Sequence, residues 1–188
     1  MQCLKVVRAC KLLPLIVLVF GLPDSSASVD KTSPSPTVRV EDGRVINESE
    51  LFSFILPERW MLQVGSTTKD VTVWHPTSES YCRFVHKGPG DNLELEVYAL
   101  QVGALTGGSW SRVSTGWRSI GKHRAGELVA LRTYEGKEAL RERSYAVINR
   151  GQVYLIVCQV PVSQVSSLEP IVDRMLKTFT WDKRSREK

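Results

Sequence analysis

The chain has 188 residues, with 25 Lys and Arg against 20 Asp and Glu and a formal net charge of +5. That length makes one domain with a single core. So mild an excess of base excludes the strongly basic stripe of a nucleic-acid binder. The chain opens on a targeting pattern: Lys5, Arg8 and Lys11, then the apolar run from Leu12 to Leu22, then small residues with Ser25 and Ala27 at the −3 and −1 positions of a cleavage site. Eleven apolar residues are too few to span a bilayer, which takes about 20. Residues 1–27 therefore read as a signal peptide. Its removal takes away three bases and one acid (Asp24), lowers the net charge to +3, and leaves 161 residues with no integral membrane segment. The implied compartment is the periplasm, a lumen or the extracellular space.

Residues 28–44, rich in Ser, Pro and charge, read as a flexible leader. The domain spans 45–182, and 183–188 form a basic, solvated tail. "LFSFILP" alternates as a strand, with Phe52, Phe54 and Leu56 on one face. Pro57 has no N–H to offer a ladder and ends it, and Trp60 is expected to fold back over the sheet end. "WMLQV" and "VTVWHP" are short strands around the turn "GSTTKD". "SYCRFVHKGPGDNLELEVYALQV" reads as two strands flanking Gly-Pro-Gly-Asp, with Glu94 and Glu96 on the wet face of the second. In "GALTGGSWSRVSTGWRSIG", Trp110, Val113 and Trp117 share a helical face while the glycines oppose a helix, so a short helix or irregular segment is expected. Three strands follow at hairpin spacing: "GELVALRTYEG", "EALRERSYAVINR" and the nearly all-apolar, hence central, "QVYLIVCQV". Leu168, Ile171, Val172, Met175, Leu176 and Phe179 then mark an amphipathic helix, with Ser166 and Glu169 at capping-box spacing. The order implies an α+β fold, an antiparallel β-sheet covered by helices.

"FSFILPERW" resembles the opening strand of PsbP-like domains: an aromatic strand, then Pro, polar residues and Trp. "AGELVALRTY", the hairpin "RERSYAVINRGQVYLIVCQVP" and the closing "EPIVDRMLKTFTW" follow in the order of that family. The departure is "TGGSWSRVSTGW", where relatives carry a clear helix. The family comprises the extrinsic subunit P of photosystem II and related exported bacterial proteins. The resemblance implies an α/β/α sandwich, and a non-catalytic role in binding, assembly or scaffolding with a protein partner.

No G-x-S-x-G, phosphate loop, G-x-G-x-x-G, C-x-x-C or H-E-x-x-H occurs, so no catalytic residue and no cofactor is expected. His75 and His86 could meet across paired strands, with Asp70, Glu79 or Asp91, as the zinc ligands of a metal-binding protein or metal-dependent enzyme; the plainer alternative is ordinary surface or strand-end histidines. The resemblance adds that some relatives bind metal at surface sites of this composition. Arg141 and Arg143, near Arg132, read as a basic face of the hairpin, either solvated against Glu138 and Glu142 or a docking patch for an acidic partner. Trp110 and Trp117 are candidate partner-binding anchors, or a lid over the cavity of a small-ligand or lipid carrier. Cys82 and Cys158 form either the disulfide of an exported protein or two buried thiols. Asn47-Glu48-Ser49 fits a glycosylation sequon.

Overall fold

The computed structural model describes residues 38–106, 110–135 and 137–181, apart from the side chains of Ser111, Arg112 and Glu138. The signal peptide, most of the leader and the basic tail lie outside the described residues. Within them stand β1 (Val38–Glu41), β2 (Arg44–Asn47), β3 (Phe52–Ile55), β4 (Met61–Val64), β5 (Asp70–Trp74) and β6 (Tyr81–Pro89). Then come α1 (Leu93–Thr106), β7 (Trp110–Ile120), β8 (His123–Tyr134), β9 (Lys137–Asn149), β10 (Gln152–Pro161), α2 (Val165–Lys177) and β11 (Thr180–Trp181).

All strand pairs are antiparallel. A seven-stranded sheet runs β4-β5-β6-β10-β9-β8-β7, and a four-stranded sheet runs β1-β2-β3-β11. The apolar strand β10 is the middle strand of the large sheet, as its composition demands. Alternation sends Cys82, Phe84, Tyr145, Val147, Ile156 and Cys158 to one face, where they meet Leu168, Val172, Met175 and Leu176 of α2. Phe52 and Phe54 of the small sheet complete that layer. Phe54 stacks on Phe84 with centroids 4.5 Å apart, and Phe52 on Phe179 at 5.2 Å. Trp60 is 4% exposed within the same core, so the turn after Pro57 folds it inward as expected. Gly121, at φ +55°, closes the β7–β8 turn and donates its N–H to Leu176 O at 3.1 Å, which docks the end of α2.

The opposite face carries α1, which packs over β7, β8 and β9. Gly126 makes this possible: a Cβ there would lie 1.9 Å from Cγ2 of Val97, so only glycine admits the helix so close. The result is an α/β/α arrangement around an antiparallel sheet.

Four local readings are corrected. The run from Leu93 to Val102 is helix, because Asn92 Oδ1 accepts the Leu95 N–H at 3.1 Å as an N-cap and Glu94 and Glu96 favour the first turn. Leu, Glu and Ala tolerate a helix as well as the alternation tolerates a strand. The segment from Trp110 to Ile120 is strand, paired with β8 along its length, because Trp, Val and Thr suit a sheet and Gly116 is its one internal glycine. The leader is not wholly flexible: Val38–Glu41 and Arg44–Asn47 form a hairpin around Asp42-Gly43, at φ 49° and 71°. In α2, Gln164 rather than Ser166 occupies the N-cap position, and the expected capping box is not formed.

Candidate functional site

The structure separates most of the residues that the sequence grouped. His75 donates its backbone N–H to Ser80 O, and His86 donates its own to Lys69 O, so they stand at opposite ends of the β5–β6 hairpin. Six residues at about 3.3 Å each put them roughly 20 Å apart, and no single zinc with bonds of about 2 Å holds both. Among the described residues, no group of three or more His, Cys, Asp or Glu is gathered to hold a metal. Asp70 pairs instead with Arg83, whose guanidinium at 2.8 Å holds the carboxyl below its usual range.

Arg141 and Arg143 do not form an exposed patch. Their parity on β9 is that of Tyr145, so both point under α2, while Glu142 points to the opposite face. Arg143 is 4% exposed; its Nε donates to Glu127 Oε1 at 3.1 Å and its Nη1 to Asp173 Oδ1 at 2.7 Å. Arg118 donates to the other oxygen of Glu127 at 3.0 Å, and Arg141 pairs with Glu169 of α2 at 2.8 Å. These charges pin the helix to the sheet. Beneath them, burial pushes the Tyr145 hydroxyl far above its ordinary pKa. Burial likewise raises the Glu142 carboxyl, which accepts from Ser144 Oγ at 2.7 Å.

Trp110 and Trp117 sit on the edge strand β7. Because that strand is hydrogen-bonded to β8, it forms no lid, and the carrier reading built on one loses its moving part. Trp117 is 46% exposed, with the Arg124 guanidinium 3.9 Å above its ring. Cys82 and Cys158 face each other on β6 and β10 and are joined by a disulfide. Asn47 is 1% exposed, its amide donating to Thr68 O at 2.7 Å, so its sequon is closed to glycosylation in the folded state.

What the fold does bring together is a trough at one end of the large sheet, where the β2–β3 turn, the β9–β10 turn and β11 converge. Two clefts of about 280 and 300 Å³ flank Asn149 and Arg150, which line both. A row of rings runs along them. His86 stacks on Tyr154 at 4.8 Å, Tyr154 meets Trp181 at 4.3 Å, and His123 meets Trp181 edge-on at 5.8 Å. Glu50 is 7% exposed; its Oε2 lies 2.5 Å from His86 Nδ1, and Gln152 Oε1 lies 3.0 Å from His86 Nε2. The Glu50 N–H is held in turn by Asn47 Oδ1 at 3.1 Å. Both nitrogens of His86 thus lie beside an acceptor, with a hydrogen bond at Nε2 and a close contact at Nδ1 that lacks hydrogen-bond alignment. Among the described residues, Ser49 Oγ, His123 Nδ1 and Trp181 Nε1 of the trough are buried without a hydrogen-bond partner. Burial also lowers the His123 pKa, which keeps that ring neutral near pH 7. An aromatic floor with a few converging polar groups is the usual make-up of a binding site. A third cleft, about 560 Å³ between the Pro57–Trp60 turn and α2, is lined chiefly by Ile55, Trp60, Ile171 and Met175, with His75 at its side.

Of the trough residues, the sequence pointed only to His86. Glu50, Gln152, Tyr154 and Trp181 lie in three distant segments, and only the Asn149-Arg150-Gly151 turn among its parts had a local signal.

No family model and no curated protein matches this sequence. Solved structures do. The solution structure of cyanobacterial PsbP (CyanoP) from Synechocystis sp. PCC 6803 superposes with a TM-score of 0.57 and 10% identity, over 83% of this chain and 98% of that one. The chain has the PsbP-like fold. A crystal structure of a protein from Bacteroides thetaiotaomicron VPI-5482 matches with a TM-score of 0.55 and 12% identity, over 78% of this chain and 50% of that chain. The architecture read from "FSFILPERW" onward is thereby borne out. No helix among the described residues is long and apolar enough to cross a membrane.

Proposed function

We propose that this chain is an exported, non-catalytic accessory protein that binds a protein partner through the trough at the end of its large sheet. The observation that carries the reading is the ring row His86–Tyr154–Trp181–His123, with the unspent polar atoms Ser49 Oγ and Trp181 Nε1 beside it. The Glu50–His86–Gln152 contacts support binding over acid–base work, since Gln152 occupies Nε2 and the buried Glu50 closes off Nδ1. The Cys82–Cys158 bond fits an oxidising compartment. The likeness to CyanoP supports an accessory role.

Site-specific photo-crosslinking in the native host tests this. A photoreactive residue at position 150, in the trough, should yield a discrete adduct that Trp181→Ala diminishes. The same residue at position 79, on the far hairpin end, should not. Equal labelling from both positions, or none from 150, would refute the proposal.

A further inference from the structure

Helix α1 carries an apolar stripe that none of the described residues covers. Leu95, Tyr98, Val102 and Leu105 are exposed by 59%, 62%, 38% and 61%. They recur at spacings of three, four and three, the pattern of a helix–helix seam. The sheet-facing side is a different one, marked by Val97, so the stripe points away from the sheet. From Val97 to Thr106 the helix holds no charged residue. Trp117, half-exposed, borders the helix on the adjoining strand: the position that a Gly126 Cβ would take is 3.4 Å from its ring and 1.9 Å from Val97. Five such side chains present on the order of 500 Å² of apolar surface, as much as the largest patch on a typical monomer and often functional.

We propose that a second copy of this chain covers the stripe, with α1 packed antiparallel against its mate across a two-fold axis. The positions themselves are self-complementary under that operation. Measured from residue 100, the stripe reads −5, −2, +2 and +5, so Leu95 meets the partner's Leu105, and Tyr98 meets the partner's Val102. A large ring faces a small side chain. Ala99 and Gly103 beside the seam add little bulk and allow axes about 8–10 Å apart. Charge selects the same arrangement. Glu94 and Glu96 lie only in the first turns, and antiparallel packing lays each first turn against an uncharged last turn, with opposed helix dipoles. A parallel pair would set these acids against their own copies. A membrane surface fits less well, because the helix itself carries two acids and no Lys or Arg, while the neighbouring Arg124 lies over Trp117 and Lys87 pairs with Glu96. The area falls short of the ~800 Å² per partner of a standard interface, so a reversible dimer in the range of about 1–100 µM is expected.

Sedimentation velocity on the oxidised protein, from about 1 to 200 µM, reads the association. The dimer fraction should rise with concentration, and Tyr98→Glu or Val102→Glu should leave a monomer throughout, with unchanged thermal unfolding because both residues are exposed. Orientation is read by cysteine pairing. A mixture of Tyr98→Cys and Val102→Cys chains should crosslink to each other faster than either does to itself. A wild-type monomer at every concentration would overturn the proposal. So would preferential Tyr98–Tyr98 crosslinking, or binding to neutral phosphatidylcholine vesicles by a protein that stays monomeric in solution.

Discussion

Reduction of Cys82–Cys158 is the sharpest test of how the sheet is held. The bond joins residues 76 apart in sequence, but directly opposite on β6 and β10. The register already places the two positions together in the folded state, so the crosslink acts mainly on the unfolded chain. Loop closure over that length is worth about 4.5 kcal/mol at 25 °C on the chain-entropy estimate. With an m-value of about 2 kcal/mol/M, the urea midpoint of the reduced protein should fall by about 2 M. Reduction in denaturant followed by refolding under reductant is preferable to substitution, because both sulfurs are buried and smaller side chains would add a cavity cost. Folded content read by circular dichroism, with and without reductant, gives the two midpoints. Curves that coincide within about 0.3 M would refute the reasoning and place the stability of the large sheet in its packing alone.

Gly126→Val should destabilise the domain by about 1–3 kcal/mol through overpacking against Val97, measured by thermal unfolding, because α1 must lift from the sheet. Arg143→Met should cost about 1–3 kcal/mol, since Glu127 keeps only Arg118 and the part-exposed Asp173 loses its partner, whereas Arg118→Ala should cost no more than about 1 kcal/mol at its exposed site; urea titrations compare the two. His123 has a folded pKa lowered by burial, so the unfolded chain binds the proton more tightly. Its contribution to stability is therefore full above the unfolded value of about 6.5 and falls as pH drops below it. Urea midpoints between pH 7 and pH 5 should decline less in His123→Gln than in the parent.

The strands and α2 were legible wherever period and burial agree. β3 alternates Phe52 and Phe54 into the core, and α2 repeats Leu168, Val172, Met175 and Leu176 at helical spacing. α1 and β7 were read the wrong way round because each carries a pattern that suits both states. Leu93, Leu95 and Val97 alternate, yet only Val97 is buried, and the deciding feature was the Asn92 cap. The Asp42-Gly43 pair between "VRVE" and "RVIN" was a hairpin signal obscured by the polar composition around it. The expected Arg141–Arg143 surface failed on a matter of parity: the same alternation that exposes one face of β9 buries the other beneath α2. The trough was not legible, since Glu50, His86, Gln152 and Trp181 become neighbours only through the pairing of β6 with β10 and of β3 with β11.

Nuclear magnetic resonance of the indole N–H protons, recorded as the native envelope extract is added, tests the binding role most directly. The Trp181 Nε1–H signal should shift or broaden, together with His86 and His123, while that of Trp60 at the other cleft stays in place. Perturbation confined to Trp60, or a spectrum unmoved by extract, would contradict the assignment of the trough as the working surface.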